Sequence, residues 1–193
     1  GTASLQLTAN TADLVPRYAL KGKLDNIDFS EMAGALLVGS GWSGKGTLNL
    51  DLAGVGQAPV EVLRNLSGKA ALQMAAGARI PFEGKGMRAA VKPASVSGWA
   101  NISKGQVQFD QFDVRAVLNN GVAGVDTQQV RAGSNAFAVS GNLNLADGEM
   151  DLRLASRGSA PTDRPLRSPD FLGSDVVRLQ RPLRSPNLSP EEP

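Results

Sequence analysis

The chain has 193 residues, enough to bury a sizeable core in one domain, and its 20 basic and 18 acidic residues leave a net charge of +2. With the lysines and arginines scattered along the chain, this balance gives no electrostatic case for nucleic acid. Cysteine and histidine are both absent, which removes disulfides, Cys/His metal centres and every nucleophilic mechanism that needs a cysteine or a histidine base.

The 22 glycines and the scarcity of helix-period runs point to a mainly β chain with many turns. Leu5 and Leu7 in SLQLTA suggest a short strand. Tyr18, Leu20, Gly22 and Leu24 alternate with Ala19, Lys21 and Lys23, a second and better one. Asp28 is an N-cap candidate with Glu31 three residues on, and Phe29, Met32, Ala33, Leu36 and Leu37 fall on one helical face. A short helix is expected from Phe29 to about Val38, ended by Gly39-Ser40-Gly41.

Gly44, Gly46, Leu48, Leu50 and Leu52 line one face of the next strand, with Lys45, Thr47, Asn49 and Asp51 on the other. A second short helix is expected from Pro59 to about Leu66, with Pro at a favoured first-turn position, Glu61 near its N-terminus and Val60, Leu63 and Leu66 as its apolar stripe. Gly68 to Met74 follows as a strand with Leu72 and Met74 inward. Arg79-Ile80-Pro81-Phe82 is too short and too Pro-broken for a central strand, Met87 to Val91 fits strand or helix, and Ala76 to Pro93 is read as loop.

Ser95 to Trp99 suggests a short strand. Val107 and Phe109, then Phe112, Val114, Ala116 and Leu118, flank a slip at Asp110-Gln111 that fits a bulge or a turn. Asn119-Asn120-Gly121 is a hairpin signal leading into Val122 to Arg131. Phe137, Val139, Gly141, Leu143 and Leu145, then Met150, Leu152 and Leu154, alternate with polar residues on either side of an Ala146-Asp147-Gly148 turn, a second hairpin.

Beyond Ser156 the composition shifts. Residues 157–193 hold seven of the 11 prolines and six arginines but no lysine, and Arg-Pro-Leu-Arg-Ser-Pro occurs twice, at Arg164 to Pro169 and Arg181 to Pro186. The expected organisation is an antiparallel β domain over 1–156 and an extended, partly disordered Pro/Arg-rich tail over 157–193, with Phe171-Leu172 and Val176-Val177 as the segments that would pin it to the sheet.

Candidate chemistry is thin. Asp110 with Asp113, and Asp147 with Glu149 and Asp151, are the close carboxylates. A glycosidase needs two across a cleft at a defined separation, whereas Glu149 and Asp151 share the wet face of one strand and Asp147 is a turn residue. A calcium site would need a denser run of oxygen ligands. Gly39-Ser-Gly-Trp-Ser-Gly-Lys-Gly46 lacks the spacing of a phosphate loop, because Lys45 is followed by Gly46 and not by Ser or Thr. Trp42 and Trp99 fit edge or core packing, with a membrane-interface role as the alternative. The expectation is a non-enzymatic chain with no cofactor.

The order of elements resembles the C-terminal region of the AsmA family of bacterial envelope proteins. The matching points are Asn26-Ile27-Asp28, Gly44-Lys45-Gly46 leading into Leu48-Asn49-Leu50-Asp51-Leu52, Gly54-Val55-Gly56, and Leu66-Ser67-Gly68 with Ala70 and Leu72. Phe109, Asn120-Gly121-Val122, Ser140 to Leu145 and Met150 to Leu154 continue the likeness, which covers roughly residues 5 to 156. Leu183-Arg184-Ser185-Pro186 is similar to the family's closing segment, while Ala76-Gly77-Ala78-Arg79 departs from its usual acidic residue before the glycine.

The resemblance implies a periplasmic segment anchored to the inner membrane by a part outside this chain. It also implies a long, open, apolar β-groove, as in the larger relatives that include TamB, with phospholipid as cargo and envelope-assembly proteins as partners. The chain opens with a strand under way, carries no signal peptide and has no apolar run of about 18 residues, so targeting and anchoring are expected upstream. The expected fold is a curved antiparallel sheet, either an open groove or sandwich-like, with two short helices. Leu48, Leu50, Leu52, Leu72, Met74, Val139, Leu143, Leu145, Met150, Leu152 and Leu154 are expected on one apolar surface, as groove wall or core. The alternative is a structural β-sandwich or β-solenoid with a filled core that binds proteins through its edge strands or tail.

Overall fold

Strict apolar/polar alternation gives each strand one apolar and one wet face, and such strands are stable only when paired into a sheet that keeps those faces in register. A computed structural model describes residues 1–30, 43–80, 107–157, 175–180 and 187–190. The chain is mainly β, and ten of its strands form one antiparallel sheet. Four strands open the chain: β1 (Thr2–Asn10), β2 (Arg17–Asp28), β3 (Lys45–Val55) and β4 (Ser67–Met74). After them come β7 (Gln111–Asn119), β8 (Val122–Ala132), β9 (Asn135–Asn144) and β10 (Glu149–Arg157). The sheet ends on β11 (Asp175–Gln180) and β12 (Asn187–Pro190). Its order is sequential except that β4 pairs directly with β7, while β5 (Arg79–Ile80) and β6 (Val107–Gln108) form a separate two-stranded ribbon. One helix, α1 (Pro59–Arg64), connects β3 to β4.

Local chemistry explains the turns and bends. Asn120 (φ 48°) and Gly121 (φ 77°) occupy the two left-handed positions of a tight hairpin between β7 and β8, as the Asn-Gly pair predicts. The register slips at Leu24/Ile27 in β2, at Asp113/Val114 between β7 and β8, and at Asp126/Val130 between β8 and β9. Such bulges bend a strand and raise its twist, so they curve the sheet.

Two buried clusters sit at one end of the strands, while Leu118 and Ala123 are buried at the other, beside the β7–β8 turn. Phe109, Val130 and Phe137 form one cluster and Phe29, Met74 and Ala78 another, with Phe112 packed against both. Phe109 meets Phe112 and Phe137 edge-on, with centroids 5.5 and 5.8 Å apart. Phe29 and Ala78 are tied there by the backbone, through Phe29 N–H to the Gly44 carbonyl (3.0 Å) and Phe109 N–H to the Ala78 carbonyl (2.8 Å).

Several expectations need correction. The expected helix stripe of Val60, Leu63 and Leu66 holds at Leu66 but not at Val60: Val62 and Leu66 lie over Gly54, while Val60 and Leu63 are exposed. Leu145 belongs to the turn and not to β9, which ends at Asn144. The slip at Asp110, expected as a bulge or a turn, is a bend where the chain leaves the β5–β6 ribbon and enters the main sheet. The regular part does not close at Ser156, because Asp175–Gln180 pairs with β10 and Asn187–Pro190 pairs with β11. Val176-Val177 thus joins the sheet as expected, whereas Phe171-Leu172, Trp42, Trp99, Met87 to Val91 and the first helix beyond Ser30 lie outside the described residues. No helix among the described residues is long and apolar enough to cross a membrane.

Candidate functional site

Residues directly opposite one another on paired strands project to the same side of the sheet, so the register assigns every strand residue a face. One row runs Leu5, Gly22, Leu50, Ala70, Ala116, Val125, Gly141 and Leu152, each opposite the next, and the pairing carries it on to positions 179 and 188. Ten strands at about 4.8 Å spacing make this row roughly 40 Å long. It contains no polar side chain.

The neighbouring rows agree. Leu48 faces Leu72, which faces Val114; Leu143 faces Met150, and Val139 faces Leu154. Met74 faces Phe112, which leads through Val130 to Phe137. The register therefore brings together ten of the eleven expected wall residues on one side of one sheet. The exception, Leu145, is held in the turn by its N–H on the Gly121 carbonyl at 2.9 Å.

Burial separates these residues. Met74 is in the core. Leu72 packs against the cluster around Phe29, and Met150, Leu152 and Leu154 against the one around Phe109. Leu48, Leu50, Leu52, Val139 and Leu143 are only half-buried. Among the described residues, no second sheet beyond the β5–β6 ribbon lies over them.

Glycines keep the floor of this face low. Gly68 (φ +139°) and Gly141 (φ +129°) adopt a backbone that side chains rarely take, and a Cβ on either would run into the backbone of Asp51-Leu52 or Asp151-Leu152. In the central row Ala70, Ala116, Val125 and Gly141 lie side by side between Leu50 and Leu152, so its middle is made of small side chains.

At the end of the strands away from the aromatic core, α1 overhangs the face. Its Val62, and Leu66 just beyond its end, approach Gly54, and the segment after the helix is fixed by Gly121 N–H to the Leu66 carbonyl (2.9 Å). Glu61 steadies the first turn by accepting the N–H groups of Gln57 (2.8 Å) and Ala58 (3.3 Å), which hold its carboxyl below the usual range. Between α1 and strands β1–β3 lies an open cleft of about 560 Å³, lined by Leu7, Tyr18, Leu20, Leu52, Val62 and Leu66 among others. Of these only Leu52 is among the wall residues expected above. The alternation of β1 and β2 marked Leu7, Tyr18 and Leu20 as strand residues; the missing information was that α1 roofs them.

The opposite face is wet and charged. Lys21 pairs with Asp51 at 3.5 Å, and Arg178 makes a two-point contact with Asp151 at 2.7 and 2.6 Å. The other candidate carboxylates have structural partners as well. Asp110 accepts the Gly133 N–H (2.6 Å), and Asp147 accepts the Asn144 amide (2.8 Å) and lies 3.8 Å from Arg64. Gln73 donates to Asp113 at 3.3 Å. Among the described residues, no three acidic side chains gather in a way that would hold a metal ion. Gly46, the last residue of the glycine-rich loop motif, is the second residue of β3, close against Phe29 and the Gln73 carbonyl, a position that serves strand packing. No family model, no curated protein and no solved structure matches the chain.

Proposed function

We propose that the chain is a non-catalytic lipid-handling segment whose apolar sheet face receives phospholipid acyl chains. The observation that carries this reading is the unbroken apolar row across the sheet, with leucines that are half-buried in the protein alone. Exposed apolar surface of this extent is costly in water and is normally relieved by a ligand or a partner. A wall of Leu, Val, Ala and Gly offers no directional bonds, so what it suits is an acyl chain held by burial and dispersion, one that can also slide along it. The overhang of α1 supplies a deeper cleft in which a chain end is shielded on two sides.

The AsmA resemblance extends the reading to a setting. In it the segment stands in the periplasm, anchored to the inner membrane by a part outside this chain. It contributes a stretch of groove along which phospholipid passes between inner and outer membranes, in support of outer-membrane assembly and homeostasis. Envelope-assembly proteins are the expected protein partners, and the work involves no bond making and no cofactor.

Photo-crosslinking tests the reading position by position. A photoreactive amino acid placed at Leu50 or Leu152 is expected to capture phospholipid in cells, while the same group at Asp51 or Arg153, one residue away on the wet face, is not. Equal capture at all four positions, or none at any, would remove the groove. A second reading, a structural module that engages protein through its sheet edge, is favoured by one observation: the exposed, uncharged edge strand β1.

A further inference from the structure

The two edges of the sheet are unlike. β12 is four residues long and ends on a proline, which cannot donate a ladder hydrogen bond, so that edge is a poor template for another strand. β1 has none of these protections. It is nine residues long, pairs with β2 along its whole length without a register shift, and contains no charge, proline or bulge. Every residue of it is exposed, Leu5 at 54% and Leu7 at 70%. Its outer edge is paired with no described strand.

The sequence of this edge is nearly the same read in either direction about Gln6: Thr-Ala-Ser-Leu-Gln-Leu-Thr-Ala-Asn. An antiparallel pair of such strands centred on Gln6 sets Leu5 against Leu7 of the partner subunit and Ala3 against Ala9 of the partner subunit. On the wet side it sets Ser4 against Thr8 of the partner subunit, and Gln6 against itself. All nine residues are used, apolar meets apolar, polar meets polar, and no charge faces a like charge. A twofold axis normal to the sheet at Gln6 generates this pairing and keeps both apolar faces on the same side, because opposite residues of an antiparallel pair share a face.

We infer that β1 is a self-complementary edge through which two copies of this chain join into one continuous sheet. The apolar row that begins at Leu5 then runs unbroken into the row of the second copy. The surface covered is that of one strand pair with four leucines, below the roughly 1,200 Å² of stable specific interfaces, so the dimer is reversible and concentration-dependent. The inference concerns assembly, and stands or falls separately from lipid binding.

The absence of native cysteine gives a clean test on the full 193-residue chain. Gln6→Cys is expected to form a disulfide-linked dimer under mild oxidation, because opposed residues of an antiparallel pair lie about 4.5–5.5 Å apart at Cα, within disulfide reach. Asn10→Cys alone is expected to stay uncrosslinked, and to crosslink when mixed with Thr2→Cys. In sedimentation measurements, Gln6→Lys, which sets two lysines together on the axis, is expected to be monomeric with an unchanged circular dichroism spectrum, and mixing it with Gln6→Glu is expected to restore the dimer. A wild-type chain that is monomeric at every concentration, or crosslinking from Asn10→Cys alone as readily as from Gln6→Cys, would overturn the inference.

Discussion

Three carboxylates show how single residues hold the bends of this sheet. Asp25 accepts the Thr47 hydroxyl (2.6 Å) and the Lys23 ammonium (3.0 Å) beside the bulge at Asn26, and both bonds, the hydroxyl first, hold its carboxyl below the usual range. Asp28 is lowered in the same direction by the Ser30 hydroxyl and N–H, and Glu61 by the N–H groups of Gln57 and Ala58. Each folded-state pKa thus lies below the unfolded one, so the stabilisation is complete above the unfolded value and is lost as pH falls through the folded value. Thermal melts followed by circular dichroism are expected to be level from neutrality to about pH 5 and to drop from about pH 4 downward. Asp25→Asn is expected to lower the melting temperature at neutral pH and to flatten part of that acid slope; an unaltered slope would show that the Thr47 and Lys23 bonds contribute nothing. Such bonds also set strand boundaries that apolar alternation alone does not mark. Asn144 Oδ1 accepts the N–H groups of Ala146 (3.1 Å) and Asp147 (3.3 Å), which ends β9 before Leu145 although the apolar alternation continues through it.

At the scale of elements, alternation was a sound guide to the strands and to the side on which their leucines lie. The Asn120-Gly121 turn was legible because both residues tolerate positive φ. Pairing between distant strands was less accessible: β4 meets β7 across an interval that contains the whole β5–β6 ribbon, and nothing local in either strand specifies that. Six helical residues are too few turns for periodicity to fix a face, and Val62 holds the place in α1 that the pattern assigns to Val60. The Pro/Arg-rich composition after Ser156 concealed β11 and β12, short segments at a sheet edge where a proline such as Pro190 is tolerated. The roof role of α1 makes its own prediction. Leu63, on the cleft lining and exposed, is a place where bulk can be added without displacing a core residue. Leu63→Trp is expected to leave the melting temperature within a few degrees of wild type and to reduce binding of a fluorescent fatty acid several-fold. Undiminished binding would place the acyl site outside this cleft.

For the whole molecule, the balance is between a small aromatic core at one end of the strands and a long apolar face that the described residues leave half-covered. A closed sandwich would bury that face against a second sheet of comparable width; the ribbon formed by β5 and β6 has two residues per strand. The charged pairs lie on the other side, where Lys21–Asp51 and Asp151–Arg178 are partly exposed and contribute little to stability but keep the outer face wet. The result is a sheet with one wet side and one apolar side. Native mass spectrometry and lipid extraction on protein purified from a bacterial envelope without detergent, wild type beside Leu50→Asp, decide whether acyl chains lie on that apolar side. Phospholipid is expected to be retained by wild type and lost from a Leu50→Asp chain that still shows the β spectrum; a wild-type protein free of lipid, folded and soluble with its apolar face unoccupied, would show that this face carries no acyl chain.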